Sequence, residues 1–237
     1  MTLHASIAPA LARALAKKGY ERLTEVQEAV LAPEADGADL LVSAQTGSGK
    51  TVAFGIAIAP TVLNGAETFP HAQLPLALVV APTRELALQV QRELIWLYGE
   101  AAGRIAACVG GMDARAERRA LERGAHIVVG TPGRLRDHIE RGALDLSDIR
   151  AVVLDEADEM LDFGFREDLE FILDAAPSSR RTLLFSATVS KAISEIARRY
   201  QKDAVRVSTV SERGQHADIA YQALLTAPSD RENAIIN

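Results

Sequence analysis

The stretch Ala44-Gln45-Thr46-Gly47-Ser48-Gly49-Lys50-Thr51 follows directly on the apolar run Leu40-Leu41-Val42-Ser43. A strand that ends in a Gly-rich turn and then opens a helix gathers backbone N–H groups, a helix N-terminus, an ammonium and a hydroxyl around one point, and such a point suits phosphate. The strict phosphate-loop pattern asks for Gly where this chain has Ala44, so the match lies in Gly47 and Gly49-Lys50-Thr51. The same residues could also form no more than a tight turn ahead of a helix. With a triphosphate present, Lys50 would reach the β- and γ-phosphates and the Thr51 hydroxyl would take Mg²⁺. Asp155, which ends the apolar run 151–154, has the position of the acid that holds this Mg²⁺, usually through water. Glu156 is then placed to orient or deprotonate an attacking water. An acidic pair after a strand is otherwise a solvated turn or a helix start stabilised by the helix dipole.

These residues need a scaffold that brings strand ends together. Short, bounded apolar runs occupy residues 40–43, 76–81, 105–109, 127–129, 151–154 and 182–185, and a seventh is expected over 204–207. Most read as strands buried on both faces. Helix-period segments lie before and between them. Residues 7–18 carry Leu11 and Leu15 and stop at Gly19, and a short helix is expected over 25–31. In residues 84–98, Leu86, Val90, Leu94 and Leu97 share one face, and 115–122, 135–141, 166–175 and 191–200 fill the other gaps. Alternation of strand and helix predicts right-handed βαβ units: an α/β fold with a mainly parallel sheet of about seven strands and helices on both faces. In such a sheet the polar residues after each run share one edge, the edge where open α/β folds bind ligands. Residues 64–75, with Gly65, Pro70 and Pro75, read as a loop. Residues 208–218 read as a polar linker, and 219–225 as one further strand.

Composition limits the partners. The chain has 237 residues, 48% of them hydrophobic, enough for one large α/β domain or two small ones. A net charge of −6 argues against a broad face that binds nucleic acid by charge alone, and 5% aromatics argue against a platform stacking successive bases. The single cysteine, Cys108, lies in an apolar run and reads as a small buried hydrophobe. No signal-peptide pattern or bilayer-length apolar stretch stands out, and a cytoplasmic location is expected. His4, His71, His126, His138 and His216 have no metal-ligand spacing, and no Ser/His/Asp order stands out.

Residues 155–158 spell D-E-A-D, and with the loop 44–51 upstream the chain resembles the first RecA-like domain of a DEAD-box RNA helicase over roughly residues 19–208. The resemblance implies a P-loop NTPase that uses ATP and Mg²⁺, with Gln45, Thr46, Gly47, Ser48, Gly49, Lys50 and Thr51 around the nucleotide. Lys50, Asp155 and Glu156 would carry the catalysis, and Thr51 and Asp155 the metal. Gly19-Tyr20-Glu21-Arg22-Leu23-Thr24-Glu25-Val26-Gln27 is similar to the family's adenine-reading motif, with Leu23 where the family commonly has Pro. By that likeness Gln27 would bond the adenine edge, Thr24 would support it and Tyr20 would stack on the ring. Thr24-x-x-Gln27 is also a capping box, and both roles are compatible.

Pro82-Thr83-Arg84-Glu85-Leu86-Ala87, Gly110-Gly111 and Thr131-Pro132-Gly133-Arg134 resemble the family's RNA-contacting motifs. They imply phosphate-backbone contacts from Thr83, Arg84, Gly110, Gly111, Thr131 and Arg134, with little sequence specificity. Thr83 and Thr131 are equally good N-caps. Ser186-Ala187-Thr188 looks like the motif that couples ATP hydrolysis to strand separation, through hydroxyl hydrogen bonds to Asp158 or its neighbours. The implied organisation is a RecA-like domain over 1–207 and a linker, 208–237, towards a second RecA-like domain that supplies arginine fingers. Alone, this half is expected to bind nucleotide and to hydrolyse it poorly. A different P-loop phosphotransferase and an ATP-gated RNA clamp are the alternative readings.

Overall fold

The computed structural model describes residues 6–209. The expected strand at 219–225 and nearly all of the expected linker lie outside them. Two short helices, α1 (Pro9–Lys17) and α2 (Glu25–Ala29), precede the first strand, β1 (Leu40–Ser43). From there strands and helices alternate: α3 (Lys50–Leu63), β2 (Ala77–Val80), α4 (Arg84–Leu97), β3 (Ile105–Cys108), α5 (Ala114–Glu122), β4 (Ile127–Gly130) and α6 (Pro132–Glu140). The rest comprises β5 (Ala151–Leu154), α7 (Ala157–Asp162), α8 (Arg166–Ala175), β6 (Arg181–Ser186), α9 (Lys191–Tyr200) and β7 (Val205–Ser208). No helix among the described residues is long and apolar enough to cross a membrane.

The seven strands form one sheet in the order β3-β4-β2-β5-β6-β1-β7, and every pairing is parallel. Successive strand residues point to opposite faces, so each strand feeds two cores. Leu40 and Val42 of β1 and Ala77 and Val79 of β2 pack under α1, α2, α3 and α4. Leu41, Leu78 and Val80 face the opposite way, into the layer of α6, α7, α8 and α9. The central strands β2, β4 and β5 are buried at every position, whereas the edge strand β3 alternates, with Ile105 and Ala107 only half-buried.

Strand boundaries fall within a residue or two of the sequence expectation. Two helices differ. Residues 157–162 form a separate helix, because Glu156 adopts a left-handed backbone that reverses the chain into Ala157. Asp158 and Glu159 then sit favourably at its positive end. α6 begins at Pro132, ahead of the periodic segment 135–141 and directly after the expected N-cap position Thr131, because a proline at N1 gives up an amide the helix does not use.

The helix that follows the phosphate loop, α3, is buried along nearly its whole length. Gly55 lets α4 approach it: an added Cβ would lie 2.5 Å from Leu97 Cδ2. Tyr98 then donates its hydroxyl to Gly55 O at 2.7 Å, and its burial raises the phenol well above its usual ionisation range.

Candidate active site

Strand order sorts the chemistry along the ligand-binding edge. The ends of β5, β6 and β1 are contiguous, so Asp155-Glu156, Ser186-Ala187-Thr188 and the loop 44–51 sit side by side. Backbone bonds continue this register past the strands: Ala44 N donates to Ser186 O at 3.1 Å, and Asp155 N to Val80 O at 2.9 Å. The ends of β3, β4 and β2 make up the other half of the edge, carrying Gly110-Gly111, Thr131 and Thr83-Arg84.

In the first half, Gly47 (φ 83°) and Gly49 (φ 89°) take backbone conformations that side chains disfavour. Gly49 has a second constraint, since a Cβ there would stand 2.5 Å from Gln27 Nε2. The Gln27 side chain, buried at the start of α2, donates to Gly49 O at 3.2 Å, and its Oε1 accepts from Thr24 N at 3.0 Å. The capping box expected for Thr24 and Gln27 is present, and the same amide ties it to the phosphate loop.

Lys50 Nζ donates to Ala44 O at 3.1 Å and to Glu156 Oε1 at 2.8 Å, with both side chains 6% exposed. An ammonium has three donors, so one remains for a phosphate oxygen. Thr46 Oγ1 also donates to Glu156 Oε1, at 3.1 Å. Asp155 is fully buried, and its Oδ1 has no hydrogen-bond partner. Burial, and then the neighbouring Glu156, push its carboxyl up to about 7 against the opposing pull of Lys50. An unpartnered buried carboxylate oxygen and the hydroxyl of Thr51, in the first turn of α3 and lining the same cavity, are a hard-oxygen donor set, and it fits Mg²⁺.

Asp158 Oδ2 accepts from both Thr188 N, at 2.9 Å, and Thr188 Oγ1, at 2.8 Å. Ser186 Oγ donates to Thr188 O at 2.6 Å, which fixes the turn. Burial alone would raise the Asp158 carboxyl, but the hydrogen bonds from Thr188, with the Ser186 hydroxyl close by, outweigh it and hold it below its usual range. The acidic tetrapeptide and the loop after β6 are therefore in direct contact.

On the other half of the edge, Thr83 Oγ1 caps α4 by accepting from Leu86 N at 3.2 Å, and Arg84 is exposed. A Cβ on Gly111 would lie 3.2 Å from Arg84 Nη1, so the guanidinium lies against the Gly110-Gly111 turn. Thr131 Oγ1 accepts from Gly110 N at 3.3 Å. Arg134 is turned inward: its Nη1 donates to Glu117 Oε2 at 2.9 Å and to Met112 O at 3.3 Å.

Sequence reasoning passed over Glu117. It is buried, accepts from Val109 N at 2.9 Å through Oε1, and receives His138 Nε2 at 2.7 Å beside Arg134 on Oε2. With Cys108 Sγ it brings three potential metal-ligand atoms within 4.8 Å of one another. The donors already on the carboxylate, a guanidinium among them, make this a hydrogen-bonded ion-pair network that braces the Gly110-Gly111 turn against α6. Arg134 and His138 lie 17 and 21 residues beyond Glu117, spacings that carry no sequence signature.

A cavity of about 600 Å³ opens in front of the loop 44–51, reaching from Asp155 and Glu156 to Tyr20 and Trp96. Trp96 also went unnoticed in the sequence, where it reads as an ordinary position on α4.

A family model described as DEAD/DEAH box helicase matches residues 24–196. DEAD-box ATP-dependent RNA helicase 9 of Oryza sativa subsp. japonica is 44% identical over 210 residues, 88% of this chain and 33% of that protein. ATP-dependent RNA helicase DeaD of Klebsiella pneumoniae is 44% identical over 221 residues, 93% of this chain and 33% of that one. The crystal structure of a DEAD box protein from the hyperthermophile Methanococcus jannaschii superposes with a TM-score of 0.77 at 38% identity, covering 85% of this chain and 54% of that one. The chain thus spans about a third of the length of these two curated relatives.

Proposed function

Since the chain belongs to the DEAD/DEAH box helicase family, we propose that it is the nucleotide-binding half of an ATP-dependent RNA helicase, acting on RNA through backbone contacts. The observation that carries this reading is the contiguity of β5, β6 and β1. It puts a phosphate loop, a carboxylate pair and a hydroxyl turn bonded to Asp158 at one place.

ATP enters the 600 Å³ cavity with its triphosphate at the loop 44–51. Backbone amides and the free Lys50 donor meet the β- and γ-phosphates, in keeping with catalysis by positioning and charge. Thr51 and Asp155 would hold Mg²⁺, which when bound neutralises phosphate charge. Glu156 orients the attacking water and accepts its proton. Lys50 and Thr46, now bonded to Glu156 Oε1, keep that carboxylate aimed at the phosphate end of the cavity. Thr188, bonded to Asp158, transmits the state of the phosphate site to the neighbouring loop. RNA lies across the ends of β2, β4 and β3, where Thr83, Arg84, Gly110, Gly111 and Thr131 offer amides, hydroxyls and one exposed guanidinium to phosphates. Arg134 acts there with its charge already shared with Glu117. A second RecA-like domain supplies arginine fingers and closes the site, so residues 1–237 alone turn over slowly.

The test is phosphate release by the two-domain protein with and without single-stranded RNA. RNA should stimulate release, and Glu156→Gln should keep ATP binding while release falls at least about a hundredfold, the scale on which acid–base groups contribute. Release indifferent to RNA would favour a different phosphotransferase. RNA binding that needs ATP but proceeds without turnover would favour a clamp.

A further inference from the structure

At the edge of the sheet opposite the phosphate loop, where β6 begins, Arg181 is only 6% exposed. Among the described residues its hydrogen bonds go to three backbone carbonyls: Nε donates to Ala38 O at 2.5 Å, Nη1 to Ala57 O at 2.6 Å and Nη2 to Ala35 O at 2.8 Å. A guanidinium has five N–H donors, so two remain, one on each terminal nitrogen. A buried arginine is ordinarily paired with a carboxylate. The two nearby acids are placed otherwise. Asp39 spends Oδ1 on Thr182 N and Oδ2 on Lys202 N, each at 2.7 Å, and Asp36 is exposed. Burial lowers the guanidinium below its usual ionisation range against the pull of Asp39 and Asp36, as expected of a cation short of a partner. Arg181 lines a cavity of about 410 Å³, within the range of about 300–1,000 Å³ common for small-molecule sites. The walls are mainly apolar: Val30 and Leu31 just past α2, and Ile56, Ala57 and Pro60 of α3.

We propose that this cavity is a binding site for a small monocarboxylate with an apolar body. The carboxylate meets the two remaining Arg181 donors, and the hydrocarbon lies against Val30, Leu31 and Ile56. Two donors beside apolar walls select this chemistry. A phosphate would turn further charged oxygens towards hydrocarbon, and a neutral apolar molecule would leave the guanidinium as short of a partner as before. A second carboxylate on the ligand would face either the apolar walls or Asp36, which lines the same cavity. The site is separate from the nucleotide cavity but shares a helix with it. Lys50 and Thr51 at the start of α3 line the one, and Ile56, Ala57 and Pro60 line the other, roughly 10 Å further along the helix.

The test adds hexanoate to the unaltered 237-residue chain with isotope-labelled Ile, Leu and Val methyl groups, with hexanol and hexylammonium as the uncharged and cationic counterparts. Hexanoate should bind with a Kd on the order of 1 mM, the scale for a ligand of about eight non-hydrogen atoms, and should shift the methyl signals of Val30, Leu31 and Ile56 ahead of others. Hexanol should bind roughly tenfold or more weakly, since it forfeits the charge-assisted bonds to Arg181, and hexylammonium should leave these signals unchanged. Ala32 is half-buried and lines the cavity, so Ala32→Leu should fill it, remove the hexanoate response and leave the melting temperature near its starting value. Arg181→Gln should reduce hexanoate to the level of hexanol. Shifts confined to other methyl groups, an equal response to hexanol or hexylammonium, or undiminished binding in Ala32→Leu would each overturn the proposal. So would the lack of any saturable shift at roughly ten times the expected Kd. The methyl signals are read on the unaltered protein, so the result does not depend on either variant folding.

Discussion

At the residue scale, the least visible group in the sequence is one of the most committed in the fold. Glu117 is 6% exposed and receives Val109 N–H, the Arg134 guanidinium and His138 Nε2. Truncating it would leave a half-buried cation and a buried imidazole with no carboxylate partner, and that kind of loss costs more than the pair contributes when intact. Glu117→Ala should therefore lower unfolding stability by about 3–5 kcal/mol in urea titration. Glu117→Gln, which still offers an oxygen to Arg134 or to Val109 N–H, should cost clearly less. Equal stability of the alanine variant and the unaltered chain would mean that the network carries no weight. Lys50, Asp155 and Glu156 were legible in the sequence because they stand in two recognisable strings, one after β1 and one after β5. Glu117 was not, because an isolated Glu on an arginine-rich helix reads as a solvated charge until β3 and α6 are known to flank it. Arg134 shows the same limit from the other side: its type suggests phosphate, and only the fold reveals that part of its charge is already paired.

At the scale of elements, the sequence marked nearly every strand and most helices, since short apolar runs and 3.6-residue periodicity are local properties. It did not show how α2 docks on the loop between β1 and α3, a contact made between segments 22 residues apart by Gln27 Nε2 and Gly49 O. Two glycines on the ligand edge test how strictly such loops are specified. Gly49 has φ 89°, and a Cβ there would press within 2.5 Å of Gln27 Nε2. Gly110 has nothing within 4 Å of a Cβ and lies outside the left-handed region. Gly49→Ala should cost about 1–2 kcal/mol from backbone strain alone, and should also displace Gln27 and abolish measurable ADP binding. Gly110→Ala should leave both the melting temperature and ADP binding near their starting values. Calorimetric titration beside a thermal melt of the two variants separates these outcomes, and an unchanged ADP affinity in Gly49→Ala would show that α2 and the loop are not held in register by this contact.

At the scale of the whole molecule, strand order is what turns six dispersed motifs into two working halves, and strand order is the property local pattern says least about. Alternating strands and helices predict a parallel sheet, but several orders satisfy right-handed crossovers equally well. The observed order puts the phosphate loop on β1 and the only cysteine on β3, separated by four intervening strands. That separation permits a test of whether the domain opens as one unit. Cys108 is fully buried, and burial, with Glu117 nearby, pushes its thiol up to about 12, so at pH 8 it is a poor nucleophile while folded. Labelling by an aromatic disulfide reagent should then wait for opening. Under conditions where reclosing outpaces labelling, its rate follows the population of the open form. A nucleotide bound at β1 stabilises the closed form by mass action, about 2.7 kcal/mol at a hundredfold excess over Kd. If β3 opens only when the entire sheet does, that excess of ADP and Mg²⁺ should slow Cys108 labelling by roughly a hundredfold, although four strands separate β1 from β3. If the edge strand β3 peels away by itself, ADP should leave the rate unchanged, and the β3-β4-β2 half would have its own stability. A half that opens independently could respond to RNA without disturbing the phosphate site, whereas a half that opens only with the whole must pass every change through β2 and β5, the central pair that joins the two.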